Sequence, residues 1–159
     1  MSTTHGILIA LSSKRLALLQ DEPETLEDVI EARHEEPIPG LLDMKTHWET
    51  LDMLVSGQGR DPILGDAFIA RSGKRMSVDT AFEQALVLGP ARVAEVAEKL
   101  AALPATLVRD RYVQLAEAKN PGKPANAKLT AELDALFQKI VALYTEAAKS
   151  KQSMLAVLV

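Results

Sequence analysis

The chain has 159 residues, no cysteine and a net charge of −4. That length suits one domain, 1–159, whose core needs no staples. The missing cysteine excludes disulfides, thiolate nucleophiles and zinc–sulfur sites, and net acidity with 4% aromatic residues argues against nucleic acid as a partner.

"HGILIAL", 5–11, is short and rich in branched apolar residues, the pattern of a mostly buried strand. Lys14 and Arg15 follow this run rather than precede it, and it is too short for a membrane span. The expectation is therefore a cytoplasmic protein without a membrane partner. Ser12 or Ser13 can cap a helix reaching Gln20. Pro23 can open a second helix, with Leu26, Val29 and Ile30 on one face as far as Arg33, and the prolines of "EEPIPG" close it.

"LLDMKTHWETLDMLVSG", 41–57, contains the single tryptophan. Asp43 is placed to cap a helix in which Met44, Trp48, Leu51 and Val55 make one apolar stripe, widened by Leu54. Gly57 then stops it. On this reading Trp48 is a core anchor, and its charged neighbours serve solubility and termination.

From Gln58 to Thr80 the periodicity is lost; "AFIA" inside this stretch reads as a short strand, and Arg60, Arg71, Lys74 and Arg75 make it locally basic. "ALVL" reads as a strand followed by a Gly89–Pro90 helix start, with Val93, Val96, Ala97 and Leu100 facing inward until Pro104. Thr106 can cap a helix to about Lys119. After the turn-rich segment 120–128, Leu129, Leu133, Leu136, Phe137, Ile140, Tyr144 and Ala147 keep helical spacing. The apolar ending 153–159 needs a sheet to hold it, and the N-terminal strand can provide one. The fold class expected is α+β: several helices on a small mixed sheet that includes both terminal strands.

No chemical motif stands out. Asp43 and His47 lie four apart on the expected helix, so their side chains can meet, but no third member of a triad and no G-x-S-x-G elbow accompanies them. His5, His34 and His47 fall on different elements without metal-ligand spacing, and no glycine-rich phosphate loop is present. Neither a metal nor a cofactor is expected.

The segments "LLDMKTHWETLDMLVSG", "DPILGDAFIA", "ALVLGPARVAEVAEKLAAL" and "LFQKIVALYTEAAKSKQSMLAVLV" occur in the order found in the YfbM-like family, which nearly the whole chain resembles. The resemblance implies a small bacterial α+β domain of unknown function. Leu42, Asp43, Trp48, Leu51, Leu54, Ser56 and Gly57 match recurrent positions of that family. Thr46, Glu49 and Asp52 stand where relatives often carry a lysine and two histidines.

The leading functional expectation is a non-enzymatic protein-binding domain, in concrete form an immunity-type protein that neutralises a cognate bacterial toxin. The segment 21–36 holds eight acids against one arginine, and Glu27, Asp28, Glu31 and Glu35 are the first candidates for contact with a basic protein. The alternative is a small hydrolase-like enzyme whose pocket lies beside the tryptophan helix, formed by Asp43, His47, Glu49 and Asp52 with Arg92 as anion clamp. A homo-oligomer joined through the terminal strands is a further reading.

Overall fold

The computed structural model describes residues 4–76, 82 and 84–159. The apolar run near the N-terminus forms β1 (Gly6–Leu11), every residue of which is buried. Helices α1 (Ser13–Asp21) and α2 (Pro23–Ala32) follow. The Ser12 hydroxyl accepts from the Arg15 N–H and caps α1, while Pro23 occupies the first turn of α2, as their sequence predicts.

The next element corrects the sequence reading. Leu41–Lys45 is a strand, β2, antiparallel to β1, and α3 (Trp48–Ser56) begins only after it. Asp43 therefore sits within a strand and caps no helix. Its Oδ1 accepts from the Lys45 N–H, and Lys45 itself turns the chain with a φ of 52°. Met44 is buried as expected, but from the strand rather than from the helical stripe. Gly57 does terminate α3, with a φ of 63° and its N–H donating to the Asp52 and Met53 carbonyls.

"AFIA" is helical rather than extended: α4 (Asp66–Ile69) is a single turn. It leads to a two-residue strand β3 (Lys74–Arg75); residues 77–80, at the end of the stretch read as irregular, lie outside the described residues. Then come β4 (Gln84–Leu88), α5 (Pro90–Ala101), α6 (Leu107–Lys119), α7 (Ala127–Lys149) and β5 (Ser153–Leu158). Gly89–Pro90 opens α5 as expected. Thr106 precedes α6, but its hydroxyl donates to Asp110 instead of capping the helix.

The fold is α+β, and its sheet has the order β2-β1-β5-β4-β3. Every described pairing is antiparallel, so the sheet is not mixed. Successive residues of β1 and β5 point to opposite faces. Leu8, Ala10, Met154 and Ala156 join the core with α3 to α7, whereas Ile7, Ile9, Leu155 and Val157 meet α1 and α2 on the other side. Helices on both faces explain why the two terminal strands are apolar throughout rather than alternating. Each of these strands is paired on both edges within the chain, so a dimer joined through them has no free edge to use.

Candidate functional site

Trp48 is 8% exposed and packs where β1 has no side chain. A Cβ added at Gly6 would lie 2.8 Å from the indole Cγ, so glycine there admits the ring. Its Nε1–H donates to the Thr4 carbonyl at 2.9 Å, which satisfies the indole's polar atom. The tryptophan is thus the core anchor that the apolar spacing predicts.

The residues proposed around it do not converge. Asp43 accepts from Arg33 Nε at 3.1 Å, with His5 Nδ1 3.8 Å away on the other oxygen. His47 precedes α3 and approaches Glu132 of α7, 3.7 Å from its carboxylate. With Asp43 on a strand and His47 directed to α7, each has its own partners, and the expected dyad is absent. Arg92 lies on α5 and donates from Nε to Asp66 at 2.6 Å, away from the tryptophan. Only Glu49 and Asp52 share a hollow with Trp48, a depression of about 420 Å³ that Met53 and Arg71 also line.

Asp52 departs most from expectation. It is 3% exposed rather than a solubilising surface residue. Its carboxylate accepts two hydrogen bonds from Arg71, at 2.7 and 2.5 Å, and a third from the Ser56 hydroxyl at 2.7 Å. A second buried carboxylate, Asp66, is 0% exposed and accepts from Arg92, from the Ser72 N–H at 2.7 Å and from the Ser72 hydroxyl at 2.5 Å. Hydrogen bonds donated to Asp52 and Asp66 hold Arg71 and Arg92 more firmly protonated than a free guanidinium. Arg71 also donates to the Gly65 carbonyl at 2.9 Å, and Tyr144 donates to the Ala67 carbonyl at 2.7 Å. Full burial raises the Tyr144 hydroxyl pKa, so it stays protonated and donates. Asp61 Oδ1 accepts from the Leu64 and Ile63 N–H groups, which lower its pKa.

These contacts stitch the irregular stretch after α3 onto the core. Their chemistry is structural: each buried carboxylate is committed to an arginine and a serine. Spacing carried part of the signal, because Trp48, Asp52, Val55 and Ser56 fall on one helical face. The arginines that answer Asp52 and Asp66 lie 19 and 26 residues further along, with no periodic link to them.

Glu27, Asp28, Glu31 and Glu35 are all exposed, on α2 and the turn after it. Asp28, Glu31 and Glu35 line one hollow of about 420 Å³ together with His34. The only arginine of this acidic run, Arg33, turns inward to Asp43 and to the Ile30 carbonyl. The segment's own cation therefore neutralises β2 and leaves the outer face negative.

Buried pairs that fasten a loop, an anchored tryptophan and helices on both sides of an antiparallel sheet define a small α+β domain without an assembled catalytic constellation among the described residues. The sequence profile of a domain of unknown function, DUF1877, matches residues 1–157, and the chain belongs to that family. The crystal structure of YfbM, a protein of unknown function from Escherichia coli, aligns over 98% of this chain and 99% of its own. The TM-score is 0.63 and the sequence identity 16%, a likeness of fold. No curated protein matches the sequence. No described helix is long and apolar enough to cross a membrane.

Proposed function

We propose that this chain is a protein-binding domain whose partner presents a basic surface to the acidic outer face of α2. An immunity-type protein that neutralises a bacterial toxin is the concrete form of that reading. The observation that carries it is the inward turn of Arg33. Exposed Asp28, Glu31 and Glu35 then surround one hollow, with no ion pair to a cation among the described residues. Such a face raises the encounter rate with an opposite charge, and the effect weakens as salt is added. The hydrolase-like alternative lacks comparable support, because Asp43, His47 and Arg92 are engaged in three separate places.

The test compares the wild-type chain with a variant carrying Glu27→Gln, Asp28→Asn, Glu31→Gln and Glu35→Gln. Each is used to capture partners from the native host, and association with the captured protein is timed at rising salt. The reading expects a basic partner, association slowed about tenfold or more in the variant at low salt, and a flattened salt dependence. Unchanged association kinetics would remove the acidic face from the account.

A further inference from the structure

A cleft of about 350 Å³ lies between α1 and the β3–β4 end of the sheet, and no residue of α2 lines it. Its apolar wall is Leu16, Val87 and Leu88, and Gln20 and Ser153 add polar groups. Lys74 pairs with Val87 across β3 and β4, so both side chains stand on the sheet face that α1 covers. Val87 pairs in turn with Leu155, and Ser153 lies two residues before Leu155 on the same side of β5.

Three features give this cleft a charge and a direction. First, α5 begins at its mouth without a side-chain cap. Val93 N–H is bonded to the Gly89 carbonyl, but the Ala91 and Arg92 N–H groups ahead of it have no acceptor among the described residues. Nothing lies within 4 Å of a Cβ built on Gly89, so the backbone there is bare to the cleft. Second, Ser153 is 5% exposed, and its hydroxyl has no hydrogen-bond partner among the described residues. The hydroxyl oxygen is not sealed off, so it is open to a partner in the cleft that Ser153 lines. Third, Lys74 lines the cleft from the α1 side and forms no ion pair among the described residues, whereas Arg75, paired with Leu86, borders the cleft from a position facing the other side of the sheet. Arg92 also lines it, but its charge is committed to Asp66 and Glu95.

We propose that this cleft binds the phosphoryl group of a small phosphomonoester, held by the Ser153 hydroxyl, the open N–H groups of α5 and the Lys74 ammonium. Leu16, Val87 and Leu88 then receive the apolar part of the ligand. The uncommitted Lys74 ammonium and a helix N-terminus, which adds roughly half a positive charge, favour a dianion over a carboxylate. The volume falls at the small end of ligand sites. This site uses elements other than α2 and does not depend on the protein contact proposed above.

Phenyl phosphate, inorganic phosphate and benzoate are suitable probes, each titrated into the ¹⁵N-labelled full chain at fixed ionic strength. Phenyl phosphate is expected to move the Ala91, Arg92 and Ser153 amide signals along saturable curves, and to bind more tightly than either of the others. Ser153→Ala and Lys74→Gln should each weaken that binding about tenfold, the scale of one lost charge-assisted hydrogen bond. Lys74 is exposed on an edge strand, so its variant keeps the fold and the test survives if Ser153→Ala does not. No saturable movement of those amides would overturn the proposal. So would benzoate binding as tightly as phenyl phosphate, or a Lys74→Gln variant with wild-type affinity.

Discussion

Asp66 and Asp52 look alike as residues, yet their surroundings differ in a way that separates their costs. Both are carboxylates on short helices, each answered by one arginine and one serine. The Asp66 side chain is fully buried, and losing it would strand the Ser72 N–H as well as Arg92. Arg71 and Arg92 keep 34% and 27% of their side chains exposed and can each regain water, so the difference lies in the backbone N–H that only Asp66 holds. Breaking a buried pair by removing one member costs about 3 kcal/mol or more, and less where the survivor reaches solvent. Asp66→Ala should therefore destabilise by about 3 kcal/mol and Asp52→Ala by about 2 kcal/mol, read from urea unfolding. Equal losses below about 1 kcal/mol would show that neither pair matters to the fold. The arginines that satisfy these carboxylates were not legible beforehand. A carboxylate's burial is decided by a partner brought close by a loop, and the sequence around Asp52 offers only its helical neighbours.

At the scale of elements, the longer helices were legible and β2 was not, for a reason visible at Met44. Its separation of four from Trp48 satisfies helical spacing, and it is fully buried. The strand reaches the same burial by a different route, because alternate residues of a strand also face a core. A five-residue strand running into a helix leaves an apolar pattern that one continuous helix also fits. "AFIA" failed in the same way: one turn of helix is too short to show a period. What positions α3 is the contact of its tryptophan with Gly6, and that contact can be tested. A Cβ at residue 6 would lie 2.8 Å from Trp48 Cγ and 3.0 Å from Met44 Cε, so the ring has to move. Gly6→Ala should cost about 2 kcal/mol, as overpacking does, and should shift the emission of the single tryptophan to longer wavelength. Gly57→Ala, which strains only the left-handed end of α3, should cost about 1 kcal/mol and leave that emission unchanged. An unaltered spectrum in Gly6→Ala would mean that the indole is not seated against β1.

For the whole molecule, both terminal strands and their place in one sheet were legible from their apolar runs, but the order of the other strands around them was not. Sheet order depends on pairings between distant segments, and no local pattern records those. The order puts β1 and β5 side by side at the centre, with β1 held by β2 and β5 by β4 on their outer edges. The ends of the chain meet there: His5 and Val159 exchange two backbone hydrogen bonds, at 2.8 and 3.0 Å. Because the strands are antiparallel, the end of β5 stands beside the start of β1, the arrangement a hairpin joins. A circular permutant follows in which Val159 runs directly into Met1. The new ends open within the exposed stretch 120–123. All of the pairings in the sheet survive that change, while the cut falls between α6 and α7, outside the sheet. The permutant is expected to fold with the same circular dichroism spectrum and to unfold in one cooperative transition, because α6 still packs on α7. Removing 153–159 instead takes out a central strand and leaves two unpaired edges. That variant should lose cooperative unfolding altogether, and retention of a sharp transition would show that the sheet does not depend on β5 as its centre.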